Sequence, residues 1–165
     1  MSKRNPVKGD ANAPYVFVSF ASADHDMVKR LIRSLGDTTR FWMPTDRLFL
    51  GSSWFEDTAR AVRESSVALL FITPEYLSSS QQNFEAGQVL QIALGSPDRR
   101  VVPVLLRGVR TFDLPGPLAT VVAIEGSRMS DAELVEAINA AIDKPTVDDH
   151  ARTSAPLRAA KKSGA

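Results

Sequence analysis

Val67–Ile72 reads VALLFI, six consecutive apolar residues, and this run limits the possible folds more than any other stretch of the chain. A strand with one wet face alternates apolar and polar residues. A strand with none is covered on both faces, as in a parallel sheet packed between helices. Tyr15–Phe20 (YVFVSF) and Arg100–Leu106 (RVVPVLL) share the pattern. Arg40–Met43 and Val121–Ile124 are shorter strand candidates. Pro103 removes a ladder donor, which predicts an edge or a bulge where it stands.

Helical spacing fills the gaps between these strands. Met27, Val28, Leu31, Ile32 and Leu35 share one face, and Gly36 follows as a C-cap signal. Ser53 and Glu56 stand at capping-box spacing before a helix that runs to about Glu64, with Trp54 and Phe55 in its first turn. Ser130 and Glu133 repeat the box before the stripe Leu134, Ala137, Ile138, Ala141 and Ile142. Strands alternating with helices imply an α/β domain with a parallel sheet and helices on both faces. Residues 15–143 are expected to form it.

The termini differ in character from this middle. Residues 1–10 and 144–165 hold eight Lys/Arg against three Asp/Glu, leaving twelve against sixteen between them. A mildly acidic domain with basic tails argues against a nucleic-acid-binding face. Residues 1–14 are expected to be a disordered leader and 144–165 a flexible basic tail. The N-terminus has no apolar segment of a signal peptide, and no apolar run approaches a membrane span. The expectation is a soluble, cytoplasmic protein without membrane contact. The absence of cysteine excludes thiolate chemistry, and His25 and His150 lie too far apart for metal-ligand spacing.

Ser78–Leu94 reads as a helix in which Glu85, Val89 and Ile92 share a face. Val89 and Ile92 mark that face as packed. Glu85 is thus a carboxylate aimed inward near the positive end of a helix, where burial is costly unless the charge is used. In a parallel sheet of this kind ligands sit beyond the carboxyl ends of the strands, at a switch point. Glu85, Phe20 and the pair Trp54–Phe55 can converge there. No glycine-rich phosphate loop follows the first strand. Asp24 reads as a helix N-cap. Leu48, Phe49 and Leu50 form a contiguous apolar trio in a loop.

YVFVSFASAD resembles the opening signature of TIR domains, a strand ending Ser-Phe/Tyr, small residues and then an acidic one. DRLFLGSSWFEDTARAVRESSVALLFITPEYLSSS resembles the family's mobile loop, second helix, central strand and the segment after it, and VVPVLL its fourth strand. The resemblance runs from about Tyr15 to Ile142. It implies a five-stranded parallel sheet in flavodoxin-like order. Many TIR domains resembling this one cleave NAD at the nicotinamide–ribose bond, and the position of their catalytic glutamate matches Glu85. The implied substrate-binding residues are Phe20, Ala21 and Ser22 after the first strand, Phe55 with Trp54, and Gln81. NAD enters as substrate, with no metal or resident cofactor. Leu48–Leu50 match a loop that contacts neighbouring TIR domains, so other TIR domains, in a homo-oligomer or filament, and a separate effector protein are the implied partners. The implied setting is bacterial antiphage immunity.

Two departures accompany the resemblance. Relatives often carry a tryptophan four residues before the glutamate, where this chain has Gln81. Some use arginines in the first loop, where it has Ala21 and Ser22. These departures leave open a second function, a TIR–TIR scaffold or host-directed signalling mimic without turnover. A receiver-type domain fits less well, because the third strand ends in Thr73-Pro74 rather than in an aspartate.

Overall fold

The computed structural model describes residues 15–43, 54–79, 91, 95 and 98–144. Among the described residues five strands form one sheet: β1 (Val16–Ser19), β2 (Phe41–Trp42), β3 (Val67–Ile72), β4 (Arg100–Leu105) and β5 (Ile124–Glu125). Every pairing is parallel and the order is β2-β1-β3-β4-β5. This is the flavodoxin-like α/β arrangement, with helices on both faces. Among the described residues the α-helices with defined bounds are α1 (His25–Ser34), α2 (Trp54–Glu64), α3 (Pro74–Ser78) and α4 (Asp131–Asp143).

The continuous apolar runs are explained by two cores, one on each face. Val16, Val18 and Phe20 pack with Val67, Leu69, Phe71, Val102 and Val104 against Val28 and Ile32 of α1 and Leu134, Ile138 and Ile142 of α4. The alternate residues Phe17, Ala68, Leu70, Ile72 and Leu105 face Ala61 and Val62 of α2 and Tyr76 of α3. All six residues of β3 are buried. Each of its valine, leucine, phenylalanine and isoleucine side chains stabilises the fold by roughly 1.5–3 kcal/mol relative to exposure.

Pro103 sits inside β4, which has a neighbour on each side, and the register shows why that is tolerated. The Arg100 N–H donates to the Ser66 carbonyl and the Leu106 N–H to that of Ile72. Even-numbered residues of β4 thus turn their backbone groups toward β3, and Pro103 turns its nitrogen toward β5. There β5 pairs with Val104 and Leu105, beyond the proline. Pro103 is therefore locally at an edge, as expected, although its strand is not.

Several boundaries differ from the sequence reading. The last strand is Ile124–Glu125 rather than Val121–Ile124, because Gly116–Thr120 forms a 3-10 turn that buries Leu118 and leaves Val122 93% exposed. Thr73-Pro74 not only ends β3 but starts α3: Thr73 Oγ1 accepts from the Tyr76 N–H, and Pro74 takes the first turn, where no amide donor is needed. Gly36, at φ 115, follows Leu35 at the close of α1, as the C-cap signal predicts. Residues 1–14 and 145–165, expected as leader and tail, lie outside the described residues. No helix among the described residues is long and apolar enough to cross a membrane.

Candidate functional site

The chain leaves β1 toward β2 on one side of the sheet and places β3 on the other, so the strand order reverses between β1 and β3. In open parallel sheets ligands bind in the crevice beyond the carboxyl ends of the strands at such a switch point, here the ends of β1 and β3. Ser19 and Leu70 are register partners there, and β4 follows beside β3. The segments leaving these ends, 20–24, 73–78 and 106–109, build the site.

A buried polar cluster ties the three segments together. Asp24 stands at the N-cap position of α1, but its side chain makes no capping hydrogen bond. This corrects the reading of Asp24 as a helix cap. The side chain is fully buried and turns toward the strand ends. Thr73 Oγ1 donates to Asp24 Oδ2 at 2.5 Å, while the same oxygen accepts from the Tyr76 N–H at 3.1 Å. One hydroxyl thus holds both the carboxylate and the start of α3. Beside it, the Ser19 and Tyr76 hydroxyls lie 3.1 Å apart, both buried.

Arg107 supplies the counter-charge from the turn after β4. Its Nη1 lies 2.9 Å from Asp24 Oδ1 and 3.5 Å from Glu75 Oε2. The contact with Oδ1 is an ion pair without hydrogen-bond geometry, so Oδ1 has charge compensation but no hydrogen bond among the described residues. A buried carboxylate stripped of its partner costs roughly 3–5 kcal/mol. Arg107 reaches this place with a left-handed backbone, φ 53, followed by Gly108 at φ 84. Such a conformation in a non-glycine residue costs about 1–3 kcal/mol and concentrates at functional sites. Glu75 is held below the usual glutamate range by its own backbone N–H and further by Arg107.

The residues singled out from the sequence fall in three groups. Phe20 and Ala21 follow β1 at the crevice, but each is only 3% exposed, Phe20 in one core and Ala21 in the other. Ser22 is exposed. The segment can therefore meet a ligand through its backbone and Ser22, not through the Phe20 ring. Trp54 and Phe55 open α2. Glu85, Gln81, Leu48, Phe49 and Leu50 lie outside the described residues. The sequence reading did not single out Arg107, Glu75 or Tyr76. The signal for the turn was Arg107-Gly108 directly after an apolar strand, and for α3 it was Thr73-Pro74.

Farther along the same edge, Gly108, Val109, Arg110, Glu125, Ser127 and Arg128 line a cavity of about 250 Å³. Arg110 lies 5.8 Å from the ring centre of Phe112, which is 77% exposed. The Gly108 N–H donates to Ser127 Oγ, and that hydroxyl to the Leu105 carbonyl, so the cavity wall is fastened to the end of β4.

The stimulator of interferon genes protein of Magallana gigas is 30% identical over 142 residues, 85% of this chain and 34% of that protein. The chain thus spans about a third of the length of the curated relative it matches. A metazoan TIR-STING receptor from C. gigas, solved in complex with 2′,3′-cGAMP, superposes with a TM-score of 0.65 at 27% identity, over 86% of this chain and 41% of that one. The TIR domains of the activated Roq1 resistosome, which directly recognises the pathogen effector XopQ, share the fold with a TM-score of 0.64 at 19% identity, over 78% of this chain and 99% of theirs. A family model described as TIR domain matches residues 16–142, from the first residue of β1 to the buried Ile142 of α4, and the chain belongs to the TIR domain family.

Proposed function

We propose that this TIR domain cleaves NAD at the nicotinamide–ribose bond, with Glu85 as the catalytic carboxylate. The observation that carries the reading is the switch point itself. In a TIR domain of order β2-β1-β3-β4-β5, the segments after β1 and β3 flank one crevice, and Glu85 belongs to the chain that follows α3. When the C1′–N1 bond of NAD breaks, the bonding electrons leave with nicotinamide and neutralise its pyridinium. The ribose is left as an oxocarbenium-like centre. A carboxylate beside it stabilises the developing positive charge and orients the ribose hydroxyls. Water then attacks C1′ and loses a proton, giving ADP-ribose, or a nitrogen of the adenine attacks and gives a cyclic product. Either outcome suits an immune role such as antiphage defence, by depletion of NAD or by a signal for a separate effector. Leu48, Phe49 and Leu50 contact a neighbouring TIR domain in this reading, and assembly completes a crevice that one domain leaves open.

Incubating NAD with concentrated protein and resolving the products by mass tests the proposal. Release of nicotinamide with ADP-ribose or its cyclic form supports it. Intact NAD in both dilute and crowded samples contradicts it. A second reading, a TIR–TIR scaffold without turnover, is favoured by Gln81 at a position where relatives often carry tryptophan. Replacing Leu48–Leu50 by serine separates the two: turnover falls together with oligomer size for an assembly-dependent enzyme, whereas a scaffold loses oligomer size alone.

A further inference from the structure

The Asp24–Arg107 pair is an unusual construction for a part of the protein that only has to fold. Asp24 at the start of α1 had an ordinary alternative, a solvated cap on its own helix, and its side chain is instead fully buried. Arg107 is 47% exposed and holds a left-handed backbone while reaching the carboxylate. The contacts join three strand ends. The Asp24 N–H donates to the Ala21 carbonyl at 2.8 Å and closes the turn after β1, Thr73 begins α3, and Arg107 begins the turn after β4. Because Phe20 and Ala21 are buried, this turn offers a ligand its peptide groups and Ser22. Peptide groups recognise a ligand only where their backbone is fixed, and displacement by about 1 Å can cost a hundredfold in rate.

We propose that Arg107 is a positioning residue: acting through Asp24, it fixes the Ala21–Ser22 backbone at the crevice where NAD is cleaved. The proposal rests on the NAD-cleaving reading for its consequence in turnover, though not for its consequence in loop order. Arg107 does not touch the reacting atoms. It holds the side chain of Asp24, the residue whose backbone N–H closes the turn on the Ala21 carbonyl, and the strained backbone sets its reach.

The test compares wild type with Arg107→Met, Arg107→Lys and the double variant Asp24→Asn/Arg107→Met. Melting midpoint, kcat and KM for NAD, and amide hydrogen exchange at residues 21–24 are read for each. Arg107→Met should lose about tenfold or more in kcat/KM at temperatures where it remains folded, with the lysine variant recovering most of that loss. Adding Asp24→Asn should restore the melting midpoint, because no buried charge is left uncompensated. It should not restore turnover, because the tie is still missing. Recovery of both midpoint and turnover in the double variant would overturn the proposal. So would an Arg107→Met protein that is less stable but turns over NAD normally while folded. Should wild type release no nicotinamide, the NAD reading fails by itself. Exchange at 21–24 then decides the positioning claim: about tenfold faster exchange in folded Arg107→Met supports it, and unchanged exchange refutes it.

Discussion

A methyl group at Gly126 would meet Leu106 Cδ2 and Leu134 Cδ1 at 2.9 Å and the Leu105 carbonyl at 3.1 Å. The leucines can turn aside, but the carbonyl belongs to β4 and cannot. Gly126→Ala should therefore destabilise the domain by roughly 1–3 kcal/mol, the usual cost of overpacking, as measured by denaturant unfolding. Glu133 gives a second prediction at this scale. The Ser130 backbone N–H and hydroxyl hold its carboxylate below the ordinary value of 4.5, so folding favours the charged form. The stabilisation is complete above that value and fades as pH falls through the lower, folded one. Glu133→Gln should remove part of the acid-induced loss of stability below about pH 4.5, seen as a flatter acid limb in melting midpoint against pH. An acid limb identical to that of wild type would contradict it. The capping box was legible from Ser130 and Glu133 because both partners lie three residues apart. Asp24 was misread for the opposite reason: its partners Thr73 and Arg107 are distant in sequence, and local spacing says nothing of them.

Among the elements, α4 depends on a residue outside it. The Arg100 guanidinium donates from Nη1 to the Ala141 carbonyl at 2.6 Å and from Nη2 to that of Ile142 at 2.7 Å. These are carbonyls that a helix end leaves unsatisfied, and a cation there also complements the dipole. Arg40 and Asp143, 3.1 Å apart, link the same end to the start of β2. Arg100→Met should cost about 1.5–3 kcal/mol, with hydrogen exchange rising first in the last turn of α4. Uniform exchange along the helix would count against the capping role. Periodicity revealed the strands and the long helices, since a two-faced sheet imposes apolar runs and its helices impose stripes. It missed α3, whose five residues are too few to show a stripe and whose start was marked by Thr73-Pro74 alone. It placed the last strand early because Val121 and Val122 look like strand residues. In the fold β4 offers β5 pairing at Val104 and Leu105, and the chain reaches that register at Ile124.

For the whole molecule, the all-parallel sheet of order β2-β1-β3-β4-β5 puts its switch point between β1 and β3, and the Asp24–Thr73–Arg107 cluster binds the loops around it. The TIR family and the parallel sheet with its switch point were legible in the sequence, through YVFVSFASAD, VALLFI and VVPVLL in family order. The ion pair beneath the crevice was not, because it joins residues that only the completed sheet brings together. In the proposed reaction Glu85, in the chain after β3 and α3, performs the chemistry of this crevice. The most direct measurement is nicotinamide release from NAD by wild type, Glu85→Ala and Glu85→Gln at equal, high protein concentration, with folding checked by circular dichroism. Wild type should release nicotinamide, and both variants should lose about a hundredfold or more, since each removes the charge that stabilises the transition state. Equal release by all three folded proteins would contradict it.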